Sequence, residues 1–197
     1  MSLLAVVIAY LIGSISPSML ISKWIGHTDI RKHGSGNAGA TNTLRVLGIK
    51  WAVTVLLLDI VKGILAVEIA KLLMPGNPVV MYLAGFAVVC GHNWPVFFGF
   101  RGGKGIATTI GVFVVLLTLP ALIAGVIAIV LVATTRYVSL GALTFTILTP
   151  IFIAVIPHHT SSLIFASAVA VMSIYRHREN ISRLVKGEES RIFSHKA

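Results

Sequence analysis

The chain has 197 residues, of which 56% are hydrophobic and 11% charged, and its formal net charge is +10. A mean hydropathy of +0.94 excludes an ordinary soluble domain and puts the chain in a bilayer, where a basic excess reads as topology rather than nucleic-acid binding. The single cysteine, Cys90, excludes an internal disulfide framework.

The first apolar segment, residues 3–22, starts without a basic leader, and SISPSML is a poor cleavage site, so it reads as an uncleaved span. HGSGNAGATNTLRVLG follows at residues 33–48. Its glycines permit tight turns, and Ser35, Asn37, Thr41 and Asn42 offer short hydrogen-bonding side chains and helix caps. Successive N–H groups leading into a helix form a concavity suited to an anion, and a helix there would put Thr41 and Arg45 on one face. A solvated interfacial loop with a flanking Arg is the plain alternative.

Residues 51–73 form the next apolar segment. Ionisable groups inside a bilayer are costly and generally paired, so Asp59 and Lys62 read as a structural ion pair, and Glu68 with Lys71 as an interfacial one. The segment 78–94 runs into GHNWP, where Pro95 interrupts a helix and leaves backbone groups needing partners. His92 is therefore either a helix-end brace for such a carbonyl or a general base or substrate-orienting group. In RGGKG, Arg101 and Lys104 could simply flank a span. The glycines beside Lys104, however, let a ligand approach the backbone while the ammonium acts as a point charge for phosphate. The loop is not a Walker A motif, because Gly105 follows Lys104 and Phe98 stands where the first glycine is required.

Residues 106–133 could be one long kinked helix, but two shorter ones, 106–118 and 121–134, are preferred. A single crossing would carry Arg136 and the basic tail outside. Segments 138–156 and 160–175 complete seven expected crossings. Ser139 is either a helix cap or part of a ligand site. In the tail, IYRHRENISRLVKGEES, a continued helix would bring Arg176 and His177 near Asn180, and Glu179 near Arg183. An amphipathic tail on anionic lipid is the bland reading, although it needs neither His177 nor Asn180.

With the N-terminus outside, every Lys and Arg except Lys62 and Lys71 lies on the cytoplasmic side, Lys196 included, while the connectors near Pro75, Pro120 and Pro157 carry none. A transporter of anions or phosphate esters is the alternative class. It would place polar groups near the midplane between repeated halves, whereas only GNAGAT and GKGIAT hint at a repeat. No HExxH or GxSxG pattern and no clear carboxylate cage is present.

SGNAGATN, GHNWPVFFGFRGGKGIAT and YRHRENISRLVKGEE, in this order, resemble the three signatures of the bacterial acyl-phosphate:glycerol-3-phosphate acyltransferases, the PlsY family. LLLDIVKG and RYVSL extend the similarity from the first span to the tail. The resemblance implies an all-α polytopic membrane protein, one integral membrane domain over residues 1–197, in the bacterial cytoplasmic (inner) membrane with its active site facing the cytoplasm. The implied reaction moves a fatty acyl group from acyl phosphate to the 1-hydroxyl of glycerol 3-phosphate. Lysophosphatidic acid and inorganic phosphate result, in the first acylation of phospholipid synthesis. No cofactor and no metal are implied; the expected partners are the two substrates and membrane lipids, with no nucleic acid and a monomeric enzyme.

By motif position, Ser35, Arg45, Lys104 and His92 are the catalytic candidates. Asn37, Thr41, Ser139, His177, Asn180, Gly102 and Gly103 are expected to bind substrate. Arg101 departs from the family's common lysine, but the charge survives. The expected mechanism is positioning plus electrostatic stabilisation with direct attack on the acyl carbonyl, the hydroxyl proton going to a substrate phosphate oxygen or to His92.

Overall fold

A computed structural model describes residues 1–156 and 159–193. Pro157 and Lys196 lie outside them. The described residues form helices and no strands, in two compact units, Met1–Leu116 and the remainder from Leu117.

The first unit holds α1 (Ser2–Ser14), α2 (Pro17–Ile25), α3 (Ala40–Leu47), α4 (Ile49–Leu73), α5 (Pro78–Asn93) and α6 (Ile106–Leu116). The expected first span is therefore interrupted. Pro17 lacks an N–H and forces the residue before it toward extended backbone, and Ser16 is extended at φ −109°, ψ 99°. A second interruption falls at Gly48, whose φ of 84° joins α3 to α4 through a conformation that favours glycine.

In lipid the hydrophobic effect does not drive helices together, so close backbone contact matters more. Two reciprocal glycine pairs provide it. A Cβ on Gly13 of α1 would strike the Val88 carbonyl of α5, and one on Gly91 of α5 would strike the Tyr10 carbonyl of α1. Gly63 of α4 and Gly111 of α6 stand in the same relation to the carbonyls of Thr108 and Ile60.

The second unit holds α7 (Thr118–Thr135), α8 (Val138–Val155), α9 (Thr160–Arg176) and α10 (Arg178–Val185). The preference for two helices over residues 106–133 agrees with the separate α6 and α7. Pro120 has no N–H for the Leu116 carbonyl, and Leu117 leaves helical geometry at φ −140°, ψ 40°. Arg136, left-handed at φ 64°, turns the chain from α7 into α8.

Among the described residues, four helical stretches are long and apolar enough to cross a membrane: Ser2–Ile25, Pro78–Phe98, Thr118–Thr135 and Val138–Val155. The 25-residue α4 has the length but carries Lys50, Asp59, Lys62, Glu68 and Lys71. Both α6 and α9 are apolar but shorter.

Candidate active site

The first glycine-rich loop has little regular structure beyond a 3-10 turn at Ile30–Lys32, and one buried side chain organises it. Asn42, in the first turn of α3, donates to the carbonyls of Ile30 and His33, each at 3.0 Å, and accepts from the Ser35 N–H at 2.8 Å. Both ends of the amide are thus engaged, and Ser35 is held with its side chain exposed. Gly34 and Gly36 turn the chain around this staple at φ 60° and 71°. Beneath it, Met19, Ile30 and Ala38 form a small core joined by Val46 and Phe98. Thr41 and Arg45 both lie on α3, one turn apart, Thr41 half-buried and Arg45 exposed, with Asn37 half-buried in the loop before them.

Arg31 joins this loop to the second. Its guanidinium pairs with Asp29 at 2.7 Å and donates to the carbonyls of Phe98 at 2.8 Å and Arg101 at 3.2 Å. The Arg31 hydrogen bonds hold the Asp29 carboxyl down at about 2.

The second loop folds back on the end of α5. The backbone groups freed near Pro95 find partners: Tyr10 Oη donates to the Trp94 carbonyl at 2.8 Å, Gly102 N–H to Asn93 O at 3.2 Å, and Gly103 N–H to His92 O at 3.1 Å. A Cβ on Gly102 would collide with the His92 carbonyl and Pro95. One on Gly103 would collide with the His92 ring and lie 2.6 Å from the Ala38 carbonyl of the first loop. Gly105, at φ 80°, rests on Val89 and the buried Asn93 amide. The two loops are therefore one assembly, with half-buried Lys104 next to its tightest point.

His92 is 5% exposed. Its Nδ1 edge turns into the bundle and its Nε2 edge faces Gly103. Nδ1 lies 2.9 Å from Lys62 Nζ and 3.2 Å from Asp59 Oδ1. The expected Asp59–Lys62 pair forms at 2.7 Å. Lys62 also donates to the carbonyls of Gly13 at 3.1 Å and Ile15 at 2.9 Å, groups released where α1 breaks. Farther along α4, Glu68 and Lys71 make the expected pair at 3.7 Å.

In the second unit the tail helix does not continue through His177. That residue sits between α9 and α10 at φ −100°, ψ 9°, with its Nδ1 2.8 Å from the Ser173 carbonyl, an arrangement that puts the proton on Nδ1. Arg183 pairs with Glu189, not with the expected Glu179, because Gly187 at φ 71° reverses the chain after α10. Glu189 is a hub: it accepts from Ser139 Oγ at 2.7 Å, Asn180 Nδ2 at 2.6 Å and Arg183 Nε at 2.7 Å. Burial works against its ionisation, but the bonds from Ser139, Arg183 and Asn180 prevail and hold its pKa below the ordinary value.

Of the sequence candidates, Ser35, Asn37, Thr41, Arg45, His92, Gly102, Gly103 and Lys104 belong to the first unit's joined loops and their supports. Ser139, His177 and Asn180 belong to the second, where Ser139 and Asn180 converge on Glu189. The contributions of Arg31 and Glu189 were missed. Arg31 has a local signal, the Asp29-x-Arg31 spacing at the edge of the loop, whereas Glu189 shows only as an acidic residue in a basic tail.

The sequence model of the glycerol-3-phosphate acyltransferase family matches residues 3–187. A glycerol-3-phosphate acyltransferase of Halalkalibacterium halodurans is 52% identical over 194 residues, covering 96% of this chain and 94% of that protein. One from Neisseria meningitidis serogroup A is 42% identical, covering 95% and 96%. Among solved structures, the glycerol 3-phosphate form of PlsY (YgiH), an integral membrane glycerol 3-phosphate acyltransferase, superposes with a TM-score of 0.92 at 42% identity, covering 97% of this chain and 95% of that one. Its lysophosphatidic acid form gives 0.88 at 40% identity with the same coverage.

Proposed function

Because the chain belongs to the glycerol-3-phosphate acyltransferase family, we propose that it acylates glycerol 3-phosphate to lysophosphatidic acid, with acyl phosphate as the donor. It is an integral membrane acyltransferase of phospholipid synthesis. The 1-hydroxyl oxygen attacks the acyl carbonyl carbon, the bond from that carbon to the phosphate oxygen breaks, and inorganic phosphate leaves. Acyl phosphate is already activated, so no covalent enzyme intermediate is required. In this reading the hydroxyl proton passes to a phosphate oxygen of the substrate.

The observation carrying this reading is the joining of two glycine-rich loops through Arg31 and through the contact of Gly103 with Ala38. It joins the segment that leads to Ser35 and Arg45 with the segment that carries Lys104. In our reading Lys104 and Arg45 offset phosphate charge as the leaving group develops, and Ser35, Asn37 and Thr41 orient the polar substrate. Gly102 and Gly103 shape the loop, since their N–H groups already serve α5. Ser139, His177 and Asn180 take part in substrate binding. Seven crossings with the N-terminus outside would set the loops at the cytoplasmic face of the inner membrane, consistent with their Lys and Arg content.

Purified protein with glycerol 3-phosphate and, separately, acyl phosphate, acyl-CoA or acyl carrier protein tests the reading. Lysophosphatidic acid is expected with acyl phosphate alone. Product with acyl-CoA alone would overturn the donor assignment, and no product with any donor would overturn the enzyme reading. Lys104→Met should lower kcat by about 10²–10³-fold, the scale of removing one electrostatic stabiliser.

A further inference from the structure

Asp59 and Lys62 lie on α4 and are almost fully buried. Replacing such a pair with apolar residues of similar volume is often neutral or stabilising, so stability alone is a weak reason for placing two charges there. Capping the end of α1 needs only a donor, which Lys62 provides to Gly13 and Ile15. Asp59 and the approach of both charged groups to His92 exceed that requirement.

Lys62 has three protons and four neighbours within 3.1 Å: the carbonyls of Gly13 and Ile15, Asp59 Oδ1 and His92 Nδ1. Whichever way the last proton goes, Nδ1 of His92 is engaged, accepting from Lys62 or donating to Asp59. The ring plane and its outward edge are thereby set. That edge carries Nε2, and it is Nε2 that a Cβ on Gly103 would strike. The same Cβ would lie 2.6 Å from the Ala38 carbonyl, so the turn leading to Lys104 packs its Gly103 face against both the imidazole and the first loop.

We propose that Asp59 and Lys62 are positioning residues for the acyl transfer. Acting through His92, the buried pair sets the height of the Gly102–Lys104 turn against the first loop, and with it the placement of the Lys104 ammonium. The inference rests on the acyltransferase reading. A small shift of this turn changes orientation at the reacting centre, while the bundle around it can remain folded.

Steady-state acylation per folded molecule tests this, using the monodisperse fraction of Asp59→Asn, His92→Ala and the Asp59→Asn/His92→Ala double variant. Each single variant should lose about 10- to 100-fold in kcat. The double variant should be no slower than the slower single, because both changes act through the same ring. Unchanged kcat per folded Asp59→Asn molecule would reduce the pair to a structural element and overturn the proposal. Multiplying losses in the double variant would overturn it too. If Asp59→Asn alone leaves Lys62 too exposed electrostatically to fold, Asp59→Asn/Lys62→Met removes both charges together and is judged by the same two criteria. Wild-type turnover is the control: its absence overturns the acyltransferase reading, whereas a fully active variant beside an active wild type overturns only the positioning role.

Discussion

A Cβ on Gly103 would meet both an imidazole and a backbone carbonyl. A backbone carbonyl cannot step aside as a flexible side-chain end can. Gly103→Ala should therefore displace the turn and reduce kcat/KM for glycerol 3-phosphate by about 100-fold, measurable by steady-state kinetics on extracted protein. Asn42 is constrained differently, since it both donates and accepts. Asn42→Asp keeps the acceptor for Ser35 but orphans the carbonyls of Ile30 and His33, which should destabilise the protein by about 2 kcal/mol in thermal unfolding. Asp29 supplies a pH dependence. Its carboxyl sits at about 2 in the fold against an ordinary 3.8. Its contribution to stability is complete above the ordinary value and disappears as pH falls through the folded one. Unfolding midpoints measured between pH 5 and pH 2, a range spanning both values, should fall more steeply for wild type than for Asp29→Asn. The residues proposed to bear chemistry in both loops stand in dense local motifs, which is why the sequence singles them out. The Asn42 staple was half-legible: the side chain was noted, its partners were not.

Among the elements, the interrupted α1–α2 passage explains why a lysine stands inside α4. Pro17 ends one helix, the break frees two carbonyls, and Lys62 answers them while pairing with Asp59. Lys62→Met removes this cap and leaves Asp59 buried without its counter-charge, so it should cost about 3–5 kcal/mol, read as a lowered unfolding midpoint. Glu189 does comparable work for α10, tying it to Ser139 at the start of α8. Glu189→Ala should raise amide hydrogen exchange over residues 178–185 well above wild type while sparing α8. The helices themselves were legible from apolar length. Their interruptions were partly so: Pro120 marked one correctly, Pro17 was passed over, and the break at His177 has no proline or glycine to announce it.

At the scale of the whole molecule, the proposed orientation is the one that puts the basic residues on the cytoplasmic side, as the positive-inside tendency expects. With Cys90 replaced by serine, Thr160→Cys should label with an impermeant thiol reagent from outside and Lys186→Cys only after cytoplasmic access. The reverse pattern would sink the proposed orientation. By itself the sequence determined the membrane class, the all-helical character and the family, because these depend on composition and on contiguous motifs. What it left undecided were relations between distant segments: Arg31 on the Phe98 carbonyl, His92 between a buried ion pair and Gly103, and Ser139 and Asn180 on Glu189. Only the tertiary structure decided those. A carbonyl freed in one helix or a buried charge on another has to be answered by whichever donor the packing brings near, and nothing in the local spacing says which one that is.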